Sequence, residues 1–204
     1  MPEYQRILEY WFENVDDSTI IRNNASPFNK WFSGGRDIDL EIKEKFESDL
    51  INAIKGNYQS WEMTPPGLLA LIILFDQFSR NIYRNTPQMY DFDSSALNLV
   101  TRLVKSGEDK KLKIVERMFV YLPFSHSEDL AIQEQGLRCL EEIVEEAKQK
   151  YPGNAGYYEK NLHYANRHYE IIRRFNRFPH RNDILSRAST KEETQFLNEP
   201  YSKF

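Results

Sequence analysis

Three short stretches concentrate residues able to handle charge and protons. The first is Leu74–Arg84, LFDQFSRNIYR. Asp76, Arg80 and Arg84 stand at i, i+4 and i+8, so on an α-helix they share one face. They adjoin the most apolar run of the chain, GLLALIILF at Gly67–Phe75. Charges beside such a run are costly unless paired. The stretch therefore reads either as the salt-bridged end of a core helix or as a wall for an anionic ligand, with Asp76 holding an arginine in place. The second stretch is Tyr121–Gln133, YLPFSHSEDLAIQ, with His126, Asp129 and Gln133 at i, i+3 and i+7. With Ser125 as a helix cap, His126 falls in a first turn, where amide dipoles favour a neutral ring and attract anions. His126 with Glu128 or Asp129 then reads as a base and its orienter, or as metal ligands. Plain helix capping accounts for the same residues.

The third stretch is His168–Arg187, HYEIIRRFNRFPHRNDILSR, with Arg173, Arg174, Arg177 and Arg181 inside nine residues. From Lys160 to Arg187 there are seven basic and two acidic residues, a local charge of +5; in a chain of net charge −4 the remainder carries −9. Four arginines cannot bury without carboxylate partners. The split points to internal pairing or to an anion site. Arginine interleaved with Phe also fits base stacking on single strands, but a weakly acidic chain is no general nucleic-acid binder.

Other chemistries find no support. Cys139 is the single cysteine, which excludes an intrachain disulfide and a Cys-rich zinc site and fits a reducing compartment. It lies in an amphipathic helix beside Leu137 and Leu140, as a structural thiol. No P-loop, GxGxxG, HExxH or GxSxG pattern is present, so no cofactor is expected. Acidic residues stand where a signal peptide needs basic ones. Nine apolar residues cannot cross a ~30 Å hydrocarbon core. The expectation is a cytoplasmic protein without a membrane partner.

Helical spacing organises the rest. Ile7, Leu8, Trp11 and Phe12 share a face, and Ile38, Ile42, Phe46, Leu50 and Ile54 form a stripe that Gly56 can end. Residues 14–35 read as a long loop with at most a helical turn around Trp31-Phe32. Thr64-Pro65 and Thr86-Pro87 are helix starts. Helices are expected over 91–106, 110–122 (ended by Pro123), from Ser125 or Ser127 to Lys150, and over 155–175. Ser125-x-x-Glu128 and Thr190-x-x-Glu193 fit capping boxes. No convincing run alternates with period two. The expected fold is all-α: one domain over residues 1–204, built of eight or nine antiparallel helices.

The three stretches together resemble domain-of-unknown-function family 924, an uncharacterised group common in bacteria. The resemblance rests on ILEYWF, LLALIILFDQFSRNIYR, the D-x-x-A of Asp93–Ala96, ERMFVYLPFSHSEDLAIQE and RRFNRFPHRNDILSRASTKEE. It implies a TPR-like right-handed array of helices and no established reaction. Its polar signature falls here on Asp76, Gln77, Arg80, Asn81, Arg84, His126, Ser127, Glu128, Asp129, Gln133, His168, Arg174, Arg177, His180, Arg181 and Asn182. Where the family usually places glycine, this chain has Asn176 and Ser186.

The resulting expectation is one polar groove. Arg80, Arg84, Arg174, Arg177 and Arg181 would recognise an anionic small molecule or acidic peptide, alongside Asp76, Asp129, Gln133, His168 and Asn182. His126 and His180 would be acid/base residues oriented by Glu128 and Asp129. The alternatives are a hydrolase using His126 and His180 with carboxylates, possible with metal assistance, and a structural ion network in a protein-interaction module.

Overall fold

The computed structural model describes residues 3–22, 26–200 and 202. Nine α-helices and no strand are found among them: α1 (Gln5–Phe12), α2 (Arg36–Ile54), α3 (Pro65–Ile72), α4 (Ser79–Ile82), α5 (Asp93–Lys105), α6 (Ile114–His126), α7 (Leu130–Lys150), α8 (Ala155–Phe175) and α9 (Lys191–Phe196). The fold is all-α. Consecutive long helices pack on each other, α6 on α7 and α7 on α8, across connections of three and four residues. Such short connections make neighbours antiparallel.

Two features of this scaffold place the site. The first is the segment Pro65–Ile82. Thr64 caps α3 by accepting from Gly67 N, and Pro65 sits in the first turn, as the sequence predicts. The chain then widens into a π-helical turn over Ile73–Phe78 before α4 resumes. A π-turn inserts one extra residue and breaks the 3.6-residue stripe. Asp76 lies in this wide turn, fully buried. Because α4 ends at Ile82, Arg84 lies beyond the helix and is not on a common face with Asp76.

The second feature is the junction of α6 and α7. Pro123 lies inside α6 rather than ending it, and the helix runs to His126. A proline here removes only one backbone donor near the helix end. The cap of α7 is Asp129, whose carboxylate accepts from Ile132 N at 3.1 Å, and not Ser125 or Ser127. His126 therefore closes α6 instead of opening α7, and the anion-attracting amides of a helix start do not act on it. Gln133 reaches back to donate to Ser125 O at 2.7 Å and Ser127 O at 2.8 Å. It satisfies carbonyls that the end of α6 leaves without helical partners.

An aromatic cluster fixes the opposite wall. Trp11, Phe12 and Trp31 pack edge-on around Phe119 with ring centroids 4.9–5.6 Å apart. Trp31 Nε1 also donates to Trp11 O at 2.8 Å. Trp31 and Phe32 belong to a single helical turn, Asn29–Ser33. The other starts hold in part: Pro87 opens only a 3₁₀ turn to Tyr90, without a side-chain cap, whereas Thr190 and Glu193 form the expected capping box of α9.

Candidate functional site

The π-turn, the end of α6, the start of α5 and the loop after α8 meet in one buried network. Asp76 Oδ1 lies 2.6 Å from His126 Nδ1, and Gln77 Nε2 donates to Oδ2 at 2.6 Å. Arg80 contacts Asp76 at 3.4 Å and Asp93 at 2.9 Å, and donates to Met89 O. Arg181 reaches Asp93 at 3.5 Å and donates to His126 O at 2.9 Å. It is sandwiched between the rings of Tyr90 and Phe178, 4.7 and 4.5 Å from their centroids. Two carboxylates and two guanidiniums thus balance in charge around the imidazole.

Burial alone would raise the Asp76 carboxyl. The neighbouring His126 and Arg80 charges, with hydrogen bonds from His126 and Gln77, override it and hold Asp76 down to about 2. Asp93 moves the other way, raised mainly by burial. His168 is lowered to about 3 by burial, which outweighs its bond to Tyr164 O. His180 is lowered to about 4 by burial and then by Arg181. Both rings are therefore neutral near pH 7. The rings of His126 and His168 lie 6.3 Å apart, and Phe178 packs against both His168 and His180.

His126, His168, Gln77 and Arg80 line a cleft of about 490 Å³, walled by Phe28, Trp31, Phe32, Leu122, Tyr157 and Tyr164, with Lys160 and Asn161 also lining it. Phe32 and Tyr164 are 44% and 41% exposed, which places them at the mouth. Lys160 stands 5.9 Å from the Tyr164 ring and makes no ion pair among the described residues. A broader depression of about 800 Å³ shares Trp31, Phe32, Gln77 and Arg80 with the cleft. Its cations are largely spoken for, Arg84 by Asp39 and Lys30 by Glu13. The smaller cleft is therefore the stronger candidate.

The other expected site residues go elsewhere. Arg84 forks onto Asp39, which also accepts from Asn81. Arg174 pairs with Glu192, and Arg177 with Glu193. Hydrogen bonding by Arg177 is the main reason Glu193 is lowered to about 2. Glu128 does not orient His126: it accepts two bonds from Arg187 and one from Phe178 N. Asp129 is a helix cap, and Gln133 serves the carbonyls of α6. Asn182 holds Arg187 and Ser189. The five arginines expected in one groove thus divide: Arg80 and Arg181 share Asp93, while Arg84, Arg174 and Arg177 form separate ion pairs. Among the described residues no group of three or more His, Cys, Asp or Glu has a metal-holding arrangement. No helix among them is long and apolar enough to cross a membrane.

Sequence reasoning missed Asp93 as the carboxylate joining Arg80 to Arg181, and Trp31, Phe32, Tyr157, Lys160 and Tyr164 as cleft lining. The D-x-x-A of Asp93–Ala96 was the available signal for the first. The aromatic lining comes from two distant segments with no shared motif.

Fold and site together define an all-helical protein with a charge-balanced Asp–His–Arg network at an aromatic cleft. The model of the family DUF924, bacterial protein of unknown function, matches residues 7–201. The chain belongs to that family. It is also similar to the protein of unknown function ATU0120 from Agrobacterium tumefaciens, whose structure shares 32% identity at a TM-score of 0.77 over 96% of each chain. No curated protein matches the chain.

Proposed function

We propose that the protein binds a small molecule with an aromatic or apolar body and a negatively charged end. The cleft volume of about 490 Å³ is in the range of small-molecule sites, which combine apolar walls with a few polar groups. In a TPR-like array a surface cleft between helices is the natural working face. The observation that carries the reading is Lys160: nearly every arginine nearby is neutralised by a carboxylate, whereas this lysine beside the exposed Tyr164 has none among the described residues. The ligand body stacks between Trp31, Phe32 and Tyr164, and its anionic end meets Lys160.

Thermal shift with 4-phenylbutyrate and its uncharged analogue 4-phenylbutanol tests this. At a hundredfold its Kd a ligand adds about 2.7 kcal/mol, or about 5–10 °C for a chain of this size. The carboxylate is expected to raise Tm more than the alcohol, and Lys160→Gln to remove the difference. Equal shifts from both compounds, or a preference that survives Lys160→Gln, would refute the reading.

A further inference from the structure

A histidine acts as a base when one ring nitrogen is fixed by a partner and the other meets the substrate. His126 meets the first condition through Asp76, 2.6 Å from Nδ1. Asp76 is itself fixed, with Gln77 on its second oxygen and Arg80 alongside. With Nδ1 so occupied, Nε2 is the nitrogen left for an occupant of the cleft, which His126 lines. A neutral ring in this position has its proton on Nδ1 and its lone pair on Nε2. When the ring takes a second proton, the Asp76 carboxylate is already in contact with the new charge.

Among the described residues no side-chain hydroxyl or thiol is hydrogen-bonded to this base. Ser79 Oγ donates to Phe75 O at 2.6 Å. Cys139 is buried, does not line the cleft, and has its thiol pushed up to about 11 by burial. Water is the nucleophile such a pair serves.

We propose that the cleft is hydrolytic, cleaving an ester that carries a separate negative charge, with His126 as general base and Asp76 as its positioning residue. Nε2 takes a proton from a water as the water oxygen bonds to the ester carbonyl carbon. The carbon–oxygen bond to the alcohol then breaks. The imidazolium returns its proton to the departing oxygen, leaving an acid, an alcohol and a neutral His126. This inference rests on the reading of the cleft as an anion-binding pocket, and its test separates the two.

The probe is the mono-4-nitrophenyl ester of succinic acid, followed by nitrophenolate release with the full chain. Saturable hydrolysis above that of equimolar free imidazole is expected. His126→Ala should lose about 100-fold or more in kcat, as for loss of a general base, and regain part of it with added imidazole. Asp76→Asn should lower kcat at least about tenfold with KM little changed. It should also shift the ¹⁵N signature of His126 away from the Nδ1–H tautomer, a readout that simple destabilisation would not move. If either variant melts before assay temperature, His126→Gln replaces His126→Ala, and the tautomer of the wild-type ring decides for Asp76. Wild-type rates no faster than imidazole, full activity in the His126 variant, or an Nε2–H tautomer in the wild type would each overturn the proposal. Calorimetry with the matching amide, N-(4-nitrophenyl)succinamic acid, runs beside it. Amide binding without ester hydrolysis sinks the catalytic proposal and leaves the pocket standing. Absence of both sinks the two together.

Discussion

Gly136 sets how closely α7 can approach the end of α6 that carries His126. A Cβ built there would stand 2.6 Å from Phe124 Cβ, and Phe124 is fully buried two residues before His126. Ordinary carbon–carbon contact is about 3.5–4.0 Å, so the helices must separate by about 1 Å. Both clashing atoms are fixed directly to helix backbones, and no rotamer change relieves them. The overpacking cost therefore falls near the top of its usual range, about 3 kcal/mol. Alanine in a helix interior returns about 1 kcal/mol of propensity. The net for Gly136→Ala is a loss of about 2 kcal/mol, or a Tm lower by about 4–8 °C for a chain of this length. Gly156 provides the opposite case, because a Cβ there meets nothing within 4 Å. Gly156→Ala near the start of α8 should gain about 0.5–1 kcal/mol. Scanning calorimetry on both variants reads the signs directly. A Gly136→Ala protein that melts at or above the wild type would refute the close approach and, with it, the placement of His126 by α7.

Three further outcomes follow from the same coordinates. Ser186 has φ +54°, a conformation costing a non-glycine residue about 1–2 kcal/mol; Ser186→Gly should be neutral to stabilising, and Ser186→Val should lower the urea midpoint. Arg187→Lys removes the fork onto Glu128 and the bond to Phe178 O and should cost about 1–2 kcal/mol, seen as a reduced midpoint at unchanged m-value. His168 and His180 are lowered to about 3 and 4, so their stability contribution is complete above their unfolded value of about 6.5 and is lost as pH falls below it. Each can lower ΔG by up to about 1.4 kcal/mol per pH unit in that window, and His168→Gln should flatten the Tm profile between pH 6.5 and 4.

The legibility of this protein from its residues was uneven, and the reasons are physical. Helix stripes such as Ile42, Phe46 and Leu50 were readable because burial repeats at 3.6 residues, and all three are core. Asn176, which occupies a glycine place of the family, closes α8 at φ +55°, as its tolerance of left-handed backbone predicts. Two local readings failed where tertiary structure overrode propensity. Pro123 is accommodated inside α6, and Asp129 won the cap of α7 from two serines. The face shared by Asp76, Arg80 and Arg84 failed for a different reason: a π-turn leaves no simple trace in hydrophobic spacing, and it altered the register under the very residues being counted.

The basic stretch shows why charge arithmetic finds a place and not a role. The sequence surplus between Lys160 and Arg187 reads as pairing or an anion site, and the structure shows pairing for five of its arginines. Arg173, Arg174, Arg177, Arg181 and Arg187 each meet a carboxylate; Arg181 and Arg187, through Asp93 and Glu128, fasten the final third of the chain to the rest. An arginine so engaged has little left for a ligand: its planar fork is already filled and its field largely cancelled. Among the described residues Lys160, the first of the stretch and the one with the least conspicuous neighbours in the sequence, makes no ion pair. The same logic selects His126 among the four histidines. His168 hydrogen-bonds a backbone carbonyl, whereas His126 has an ion-pair contact to the buried carboxylate of Asp76. Function is therefore to be sought where the internal charge network ends, at the mouth and floor of one cleft, and not where charge is densest along the chain.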